Sequence, residues 1–326
     1  MVQIQLKNQN DFKSLSMVDV SIIIPTYNRF WSLPRAIESC RKNFCKIEII
    51  VVDDGSTDET WEWLQTQNDI VKINQKNQGQ TYAVNTGTNI ARGKYIRFLD
   101  SDDFLADGII DLQFKEAELK NADLVCNRVD DYFQETGRII EHADVNWDDF
   151  LTVQLGNTYG SHFLGMLFKT DWVKLVPRRP DFALREDRMF ILEYGLLNPR
   201  IAYLSGCAGY WVKHHNQMNN SYNGLSSQAA NYQHLNIYKK IIMRLSETND
   251  LTVSRKIATS ESLFSLAEWI ARSDLKTSIA MINWAKELNP DFSINRKDNI
   301  GKLYTFFGFK LTHQLLNLNR SIKALF

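Results

Sequence analysis

The chain has 326 residues, 44% hydrophobic and 12% aromatic, a composition that supports a large packed core and excludes a mostly disordered chain. Lysine plus arginine and aspartate plus glutamate both number 38, so the net charge argues against a general nucleic-acid binder. Four cysteines without a Cys-x-x-Cys pair favour reduced thiols and a cytoplasmic protein, and the polar first 19 residues lack the apolar segment of a secretory signal.

The first third of the chain alternates predicted strands and helices. Residues 1–17 are expected to form a flexible leader. Short runs rich in β-branched or aromatic residues predict four strands, at residues 20–24, 47–52, 70–73 and 95–99. Helical patterns lie between these runs, and repeated strand–helix units of this length predict a parallel sheet with right-handed crossovers.

Two of the intervening helices carry specific signals. Leu33, Ile37, Cys40 and Phe44 recur at helical spacing and predict one buried face. Ser56 followed by Glu59 has the spacing of a capping box, which predicts the start of the next helix.

Carboxylates follow two of the predicted strands directly. Asp53 and Asp54 end one strand, and Asp100 and Asp102 follow another. Buried unpaired carboxylates are costly, and ligands bind at the carboxyl ends of parallel strands, so these side chains are expected at one shared edge. Their oxygen atoms suit Mg²⁺ or Mn²⁺ shared with a diphosphate. The alternative for Asp100-Ser101-Asp102 is a strand end followed by an Asp-capped helix.

The second half of the chain is less regular. Its predicted elements are a helix at 107–120, strands at 123–128, 166–168 and 203–212, a hairpin around Gly137, and helices from about residue 229. The last 28 residues contain no Asp or Glu but carry Lys302, Lys310, Arg320 and Lys323 among apolar residues. This basic amphipathic tail either docks on an anionic membrane or packs its apolar face on the preceding helices.

Five motifs in order resemble glycosyltransferase family 2, whose members have the GT-A fold. The matching segments are residues 21–28, 51–58, 77–79, 83–87 and 98–103, with Glu186-Asp187 at the place of the family's acidic pair. The resemblance implies an α/β fold with a mostly parallel, Rossmann-like sheet flanked by helices. It implies a GT-A domain at 18–225. The resemblance does not cover residues 226–326, where the residue pattern predicts a helical region that ends in the basic amphipathic tail.

The resemblance also implies roles for individual residues. Asp187 would be the catalytic base, with Glu186 beside it, and Asp102 and Asp100 would hold Mn²⁺ or Mg²⁺. The histidine of the metal site would be His215 rather than His214. Donor-binding residues would be Pro25, Tyr27, Arg29, Asp53, Asp54, Asn77, Gly79, Asp100 and Ser101. From the residues alone, Glu186-Asp187 also fits a simple helix start, and His215 an ordinary loop histidine.

The function that the resemblance implies is inverting, metal-dependent transfer of a sugar from a nucleotide-diphosphate donor, with a UDP-sugar expected. The acceptor would be a glycan or lipid-linked molecule of cell-surface polysaccharide synthesis, met at the cytoplasmic face of the membrane. The chain lacks the Gln-x-x-Arg-Trp segment of processive synthases, which favours one transfer per encounter. Two alternatives stay open: a sugar-1-phosphate nucleotidyltransferase and a non-catalytic nucleotide- or sugar-binding module.

Overall fold

The computed structural model describes residues 18–156, 162–215, 217, 224–294 and 296–323, so the predicted leader at 1–17 lies outside the described residues. The strands are β1 (Val20–Thr26), β2 (Ile47–Asp53), β3 (Val71–Asn74), β4 (Tyr95–Phe98), β5 (Phe104–Leu105), β6 (Leu124–Phe133), β7 (Arg138–Ile140), β8 (Met166–Lys169) and β9 (Ile201–Lys213).

The helices divide into two sets. Those of the first 200 residues are α1 (Leu33–Arg41), α2 (Thr60–Gln65), α3 (Gln80–Ile90), α4 (Ile109–Lys120), α5 (Phe150–Leu155), α6 (Thr170–Leu175) and α7 (Glu186–Gly195). Those that follow β9 are α8 (Gly224–Glu247), α9 (Val253–Ile270), α10 (Leu275–Leu288) and α11 (Asn299–Lys323).

The described strands form one mixed sheet in the order β3-β2-β1-β4-β8-β6-β9-β5, with β7 beside β6. The first four strands of this order are parallel, as predicted. The other half is mixed, since β8 lies antiparallel between β4 and β6 while β6 and β9 are parallel, so the sheet as a whole is mostly but not entirely parallel. The chain passes through α4 between β4 and β6, and these two strands run in the same direction. Strand β8 lies between them in the sheet and runs antiparallel to both.

Packing of α3 and α1 against the sheet sets the position of the later site. A Cβ atom on Gly87 would lie 2.6 Å from Cγ2 of Ile23, so glycine lets α3 approach the sheet closely. Helix α1 ends at Arg41, and Phe44 is 98% exposed, so the prediction that Phe44 is buried is wrong. The backbone N–H of Phe44 instead donates to Asp111, which ends the helix earlier than the apolar spacing suggested.

The capping box predicted at Ser56 and Glu59 does not form. Ser56 donates its hydroxyl hydrogen to Asp53, and α2 begins only at Thr60. The hydroxyl of Ser56 therefore braces the turn after β2, where a buried carboxylate competes for it more strongly than a helix end does.

Helices α8 to α11 share an apolar core of their own, and this core continues onto α5 and α7 through Leu155 and Met189. Arg255 on α9 pairs with Asp149, 2.9 Å away at the start of α5. Backbone torsion changes at Gly308, where φ is 68°, and kinks α11. Tyr304 and Phe309 of α11 are buried in this core, so part of the tail does pack on the helices before it. The predicted domain boundary at 225/226 stays a prediction.

None of the helices in the described part of the chain is both long enough and apolar enough to cross a membrane.

Candidate functional site

A cleft of about 790 Å³ opens at the carboxyl ends of the parallel strands. It brings together Asp54, Asp102 and Asp187, which come from three separate parts of the sequence. The predicted site residues that line it are Pro25, Tyr27, Arg29, Asp54, Asn77, Gly79, Asp100, Ser101, Asp102, Glu186 and Asp187. Two predicted residues, Asp53 and His215, are not among its lining.

One end of the cleft, which we call the nucleotide end, is built on Asp54. Its carboxylate accepts the backbone N–H groups of Gln78 and Gly79, at 3.1 and 2.7 Å, and the side-chain amide of Gln75 at 2.7 Å. Gly79 has a φ of 99°, a conformation that favours glycine and turns the chain into α3. A carboxylate has about four acceptor positions, so Asp54 keeps one for a ligand.

Asp53, the neighbour of Asp54, points away from the cleft because successive side chains of a strand face opposite sides. It is fully buried and accepts hydrogen bonds from Ser56 and from the amide of Asn74, the latter at 2.7 Å. Burial raises the pKa of Asp53. The structure thus gives Asp53 a place in bracing the turn beneath the cleft rather than in its wall.

The other end, which we call the transfer end, is crowded with acids. Its five carboxylates belong to Asp100, Asp102, Asp103, Glu186 and Asp187. One oxygen from each of Asp100, Asp102 and Asp103 lies within 4.8 Å of the others. Burial raises the pKa of Asp100 to about 8, and the nearby Asp102 and Glu186 add to the shift. Burial also raises the pKa of Asp103 well above its usual range.

This acidic triad fits a divalent cation. Three converging carboxylates supply the hard oxygen ligands that Mg²⁺ and Mn²⁺ prefer, and a bound cation would remove the cost of holding their charges together. Asp103 is an addition to the predicted set. Its place directly after the Asp-Ser-Asp run was the available signal, but the role of its side chain depends on β9, whose Val212 N–H donates to it at 2.8 Å.

His214, not His215, lies against the triad. Nε2 of His214 is 3.1 Å from Oδ2 of Asp102, and only 6% of its side chain is exposed. The ring of His215 is 89% exposed and contacts Glu135 on the surface. The structure therefore places His214, rather than the predicted His215, beside Asp102; the two rings follow the end of β9 and lie in different surroundings.

The acidic pair at the start of α7 divides into a buried and an open member. Glu186 is buried and accepts a hydrogen bond from Nη1 of Arg178 at 2.8 Å. Burial raises the pKa of Glu186, and the Arg178 guanidinium opposes that shift. Asp187 is exposed on the cleft wall, where its carboxylate can reach a ligand.

Arg178 is a residue that sequence reasoning missed. Its guanidinium lies 4.2 Å from the ring centroid of Phe190 and 4.7 Å from that of Phe98. The side chain of Asn85 holds the backbone of Arg178 through two hydrogen bonds of 2.9 Å. Asn85 belongs to one of the motifs quoted above, but nothing in the sequence shows that its partner is 93 residues away.

Comparison with known proteins agrees with this geometry. The model of "Glycosyl transferase family 2" matches residues 21–175. A glycosyltransferase of Haemophilus influenzae is 32% identical over 189 residues, which cover 55% of this chain and 72% of that protein. Streptococcus pneumoniae glycosyltransferase GlyG is 32% identical over 142 residues, covering 42% of this chain. The chain spans only 46% of the length of GlyG.

Among solved structures, S. aureus TarS 1-349 in complex with UDP-GlcNAc superposes with a TM-score of 0.52 at 17% identity, covering 84% of this chain and 89% of that chain. At this identity the likeness shows a shared fold, the mixed α/β architecture of the GT-A type. The H. influenzae relative, 72% of which is covered at 32% identity, and the match to the family model show that this chain belongs to glycosyl transferase family 2.

Proposed function

We propose that this protein transfers a sugar from a UDP-sugar to an acceptor hydroxyl, with inversion at the anomeric carbon and with the help of a divalent cation. The observation that carries the proposal is the shared cleft, whose walls hold Asp54, Asp100, Asp102 and Asp187. S. aureus TarS, which shares the fold, has been crystallised with UDP and with UDP-GlcNAc.

The nucleotide end supports recognition of uracil. The remaining acceptor position of Asp54 suits the N3–H of that base. Tyr27, 44% exposed on the cleft wall, offers a ring face for stacking, and Arg29 offers a cation for phosphate. Arg29 now lies 3.7 Å from Asp102, so a bound diphosphate would give it a second partner near its present place.

At the transfer end, Asp102 with Asp100, Asp103 and His214 would hold Mn²⁺ or Mg²⁺, whose charge stabilises the negative charge that grows on the departing diphosphate. The carboxylate of Asp187 would take the proton of the acceptor hydroxyl. The acceptor oxygen then bonds to C1 of the sugar, while the bond from C1 to the phosphate oxygen breaks and its electron pair leaves with UDP. Attack from the face opposite the diphosphate inverts C1.

The first test uses Asp187→Asn, which removes the base while keeping the size of the side chain. We expect loss of transfer, with UDP binding in the presence of Mn²⁺ near that of the wild type. Asp181→Asn is the matched control, because Asp181 lies on the same segment but pairs with Arg179 on the surface. Full transfer activity in Asp187→Asn would remove Asp187 from the base role.

A thermal-shift panel separates the proposal from its alternatives. Stabilisation by UDP that requires Mn²⁺ would support the transferase. Release of pyrophosphate from UTP and a sugar 1-phosphate would instead indicate a nucleotidyltransferase. Binding of UDP-sugar without turnover, across a panel of glycan and lipid-linked acceptors, would indicate a binding module. The panel of acceptors would also identify the acceptor. We propose that it is a glycan or lipid-linked molecule that receives one sugar per encounter.

We further propose that α11 brings the enzyme to the cytoplasmic face of an anionic membrane. Beyond its kink, four exposed residues fall within an arc of about 60°, given 3.6 residues per turn. They are Leu311, Leu315, Leu318 and Ile322, each 48–59% exposed. Residues 299–326 carry no carboxylate side chain, and Lys310 and Arg320 add positive charge, so anionic lipid is the complementary surface.

Vesicle co-sedimentation tests this contact. We expect binding to phosphatidylglycerol-containing vesicles that weakens with salt, and loss of binding in the double variant Leu315→Glu/Leu318→Glu. Leu119→Glu is the matched control, because Leu119 is a 75% exposed leucine on α4. The proposal would be contradicted if the wild-type protein did not bind anionic vesicles, or if it self-associated through α11.

A further inference from the structure

Three rings on one wall of the cleft form a continuous stack, which we call the ring wall: Phe163, His162 and Trp211. The centroid of the His162 ring lies 5.1 Å from that of Phe163 and 4.9 Å from that of Trp211. Cations cover both ends of the stack. Arg178 lies 5.5 Å from the Phe163 centroid, and the ammonium of Lys213 lies 2.7 Å from that of Trp211. All three rings line the cleft.

The hydrogen-bonding state of His162 is set by the backbone. The N–H of Leu164 donates to Nδ1 of His162 at 3.2 Å, so Nδ1 keeps its lone pair and the ring hydrogen sits on Nε2. Burial lowers the pKa of His162 to about 4, which keeps the ring neutral near pH 7. Within the described part of the chain, no residue accepts a hydrogen bond from Nε2.

The position of His162 matches that of the sugar in the proposed reaction. The charges that act on its ring include the carboxylate of Asp187, which raises its pKa, and the ammonium of Lys213, which lowers it. In the proposed function, the sugar must lie between the diphosphate near Asp102 and the acceptor near Asp187. The ring wall lines the same cleft as Asp102 and Asp187. The His162 ring stacks on Phe163 and packs against the tilted ring of Trp211, so the group that it can offer a sugar is its single N–H donor.

We propose that His162 is a specificity-determining residue that donates a hydrogen bond from Nε2 to an oxygen of the transferred sugar, either a hydroxyl or an acetamido carbonyl. This inference rests on the proposed function. In this proposal the ring wall binds the sugar through a directional hydrogen bond rather than by stacking. The contact does not involve the residues of the nucleotide end.

The test compares His162→Asn with His162→Gln. An asparagine oxygen can still accept the N–H of Leu164, as capping residues do, but its amide does not reach the place of Nε2. The longer glutamine places an amide N–H near that point. His142→Asn makes the same substitution at a histidine outside the cleft lining and serves as the control. Binding of UDP, UDP-GlcNAc and UDP-glucose is measured by calorimetry with Mn²⁺.

We expect His162→Asn to bind UDP like the wild type and to bind the UDP-sugars about five- to tenfold more weakly, as loss of one neutral hydrogen bond predicts. His162→Gln should regain part of the loss, and His142→Asn should match the wild type. A loss with UDP-GlcNAc alone would place the accepting oxygen on the acetamido group, and equal losses would place it on a hydroxyl that both sugars share.

Two results would overturn the inference while leaving the proposed function in place. One is wild-type affinity of His162→Asn for both UDP and the UDP-sugars. The other is an equal loss for UDP and UDP-sugars, which would mark His162 as a structural residue only. Failure of the wild type to bind any UDP-sugar would instead contradict the proposed function itself.

Discussion

The nucleotide end and the transfer end of the cleft balance negative charge in different ways. At the nucleotide end, the Asp54 carboxylate is already surrounded by N–H donors from Gln75, Gln78 and Gly79. At the transfer end, five carboxylates lie close together, with Arg178 paired to Glu186 and Arg29 3.7 Å from Asp102. Hydrogen bonds hold the first end in shape before a ligand binds, whereas the second end gathers acidic groups whose charge a bound cation would balance.

This difference indicates at which end of the cleft ligand binding should change the stability of the protein most. Hydrogen bonds to a carboxylate fix its geometry in advance, so the nucleotide end should bind with little rearrangement. Repulsion among buried carboxylates costs stability until a cation arrives. We therefore expect divalent cations to stabilise the fold through the transfer end, and each substitution below separates the two ends further.

The largest expected effect follows from Asp102→Ala, which removes the carboxylate at the centre of the proposed metal site. Transfer should fall by about 10³-fold, since charge stabilisation by a cation is worth several kcal/mol in the transition state. The stabilisation of the fold by Mn²⁺ should also disappear in a thermal-shift assay. Asp107→Asn, at a 73% exposed side chain paired with Lys42, is the control. Activity within threefold of wild type would refute this role.

Arg178→Met should cause the largest loss of stability. It leaves the buried Glu186 without its cation, and breaking a buried pair from one side costs about 3–5 kcal/mol. Denaturant unfolding measures the loss. Arg179→Met is the matched control, because Arg179 is the next residue and its partly exposed side chain pairs with Asp181 and Glu193, nearer the surface, where such pairs contribute about 0–1 kcal/mol. The double variant Arg178→Met/Glu186→Leu should recover much of the loss. Equal losses in the two single variants would contradict the proposed importance of burial.

Asp54→Asn should have a smaller effect that is confined to the nucleotide end. The amide group would face the N–H donors that now surround the carboxylate, so we expect UDP to bind about tenfold more weakly. Calorimetry with and without Mn²⁺ checks this, and the stabilisation by Mn²⁺ alone should persist. Asp69→Asn, at a surface carboxylate paired with Arg41, is the control. If Asp54→Asn abolished the response to Mn²⁺, the two ends would not be independent.

The smallest expected effect is on the pH dependence of stability. Burial raises the pKa of Glu186 above its ordinary 4.5, so the folded protein holds this proton more tightly than the unfolded chain does. Stability should therefore fall as the pH rises above about 4.5. Glu186→Gln cannot lose a proton, and its melting temperature should fall less steeply between pH 4.5 and 7 in EDTA. Glu38→Gln, on the surface of α1, should keep the wild-type slope; a wild-type slope in Glu186→Gln would be the contrary result.

Much of the parallel half of the sheet could be predicted from the local sequence. The strands β1 and β2 appear where β-branched runs predicted them, and Asp54 and Asp102 follow their strands into one cleft. Local patterns failed where a distant partner decided the outcome. Asp111 takes the N–H of Phe44 from 67 residues away. The antiparallel position of β8 between β4 and β6 also could not be predicted from the order of elements along the sequence.

The family, the parallel half of the sheet and the acidic ends of its strands could all be inferred from the amino-acid sequence, because they follow from short runs of residues and the periodicity of a strand. Three features depend on the folded chain: which histidine contacts Asp102, the pairing of Arg178 with Glu186, and the presence of the ring wall in the same cleft as Asp187. His214 and Asp102 are 112 residues apart. Contacts over such distances depend on how the later strands and α7 pack against the first sheet, and no local spacing encodes that packing.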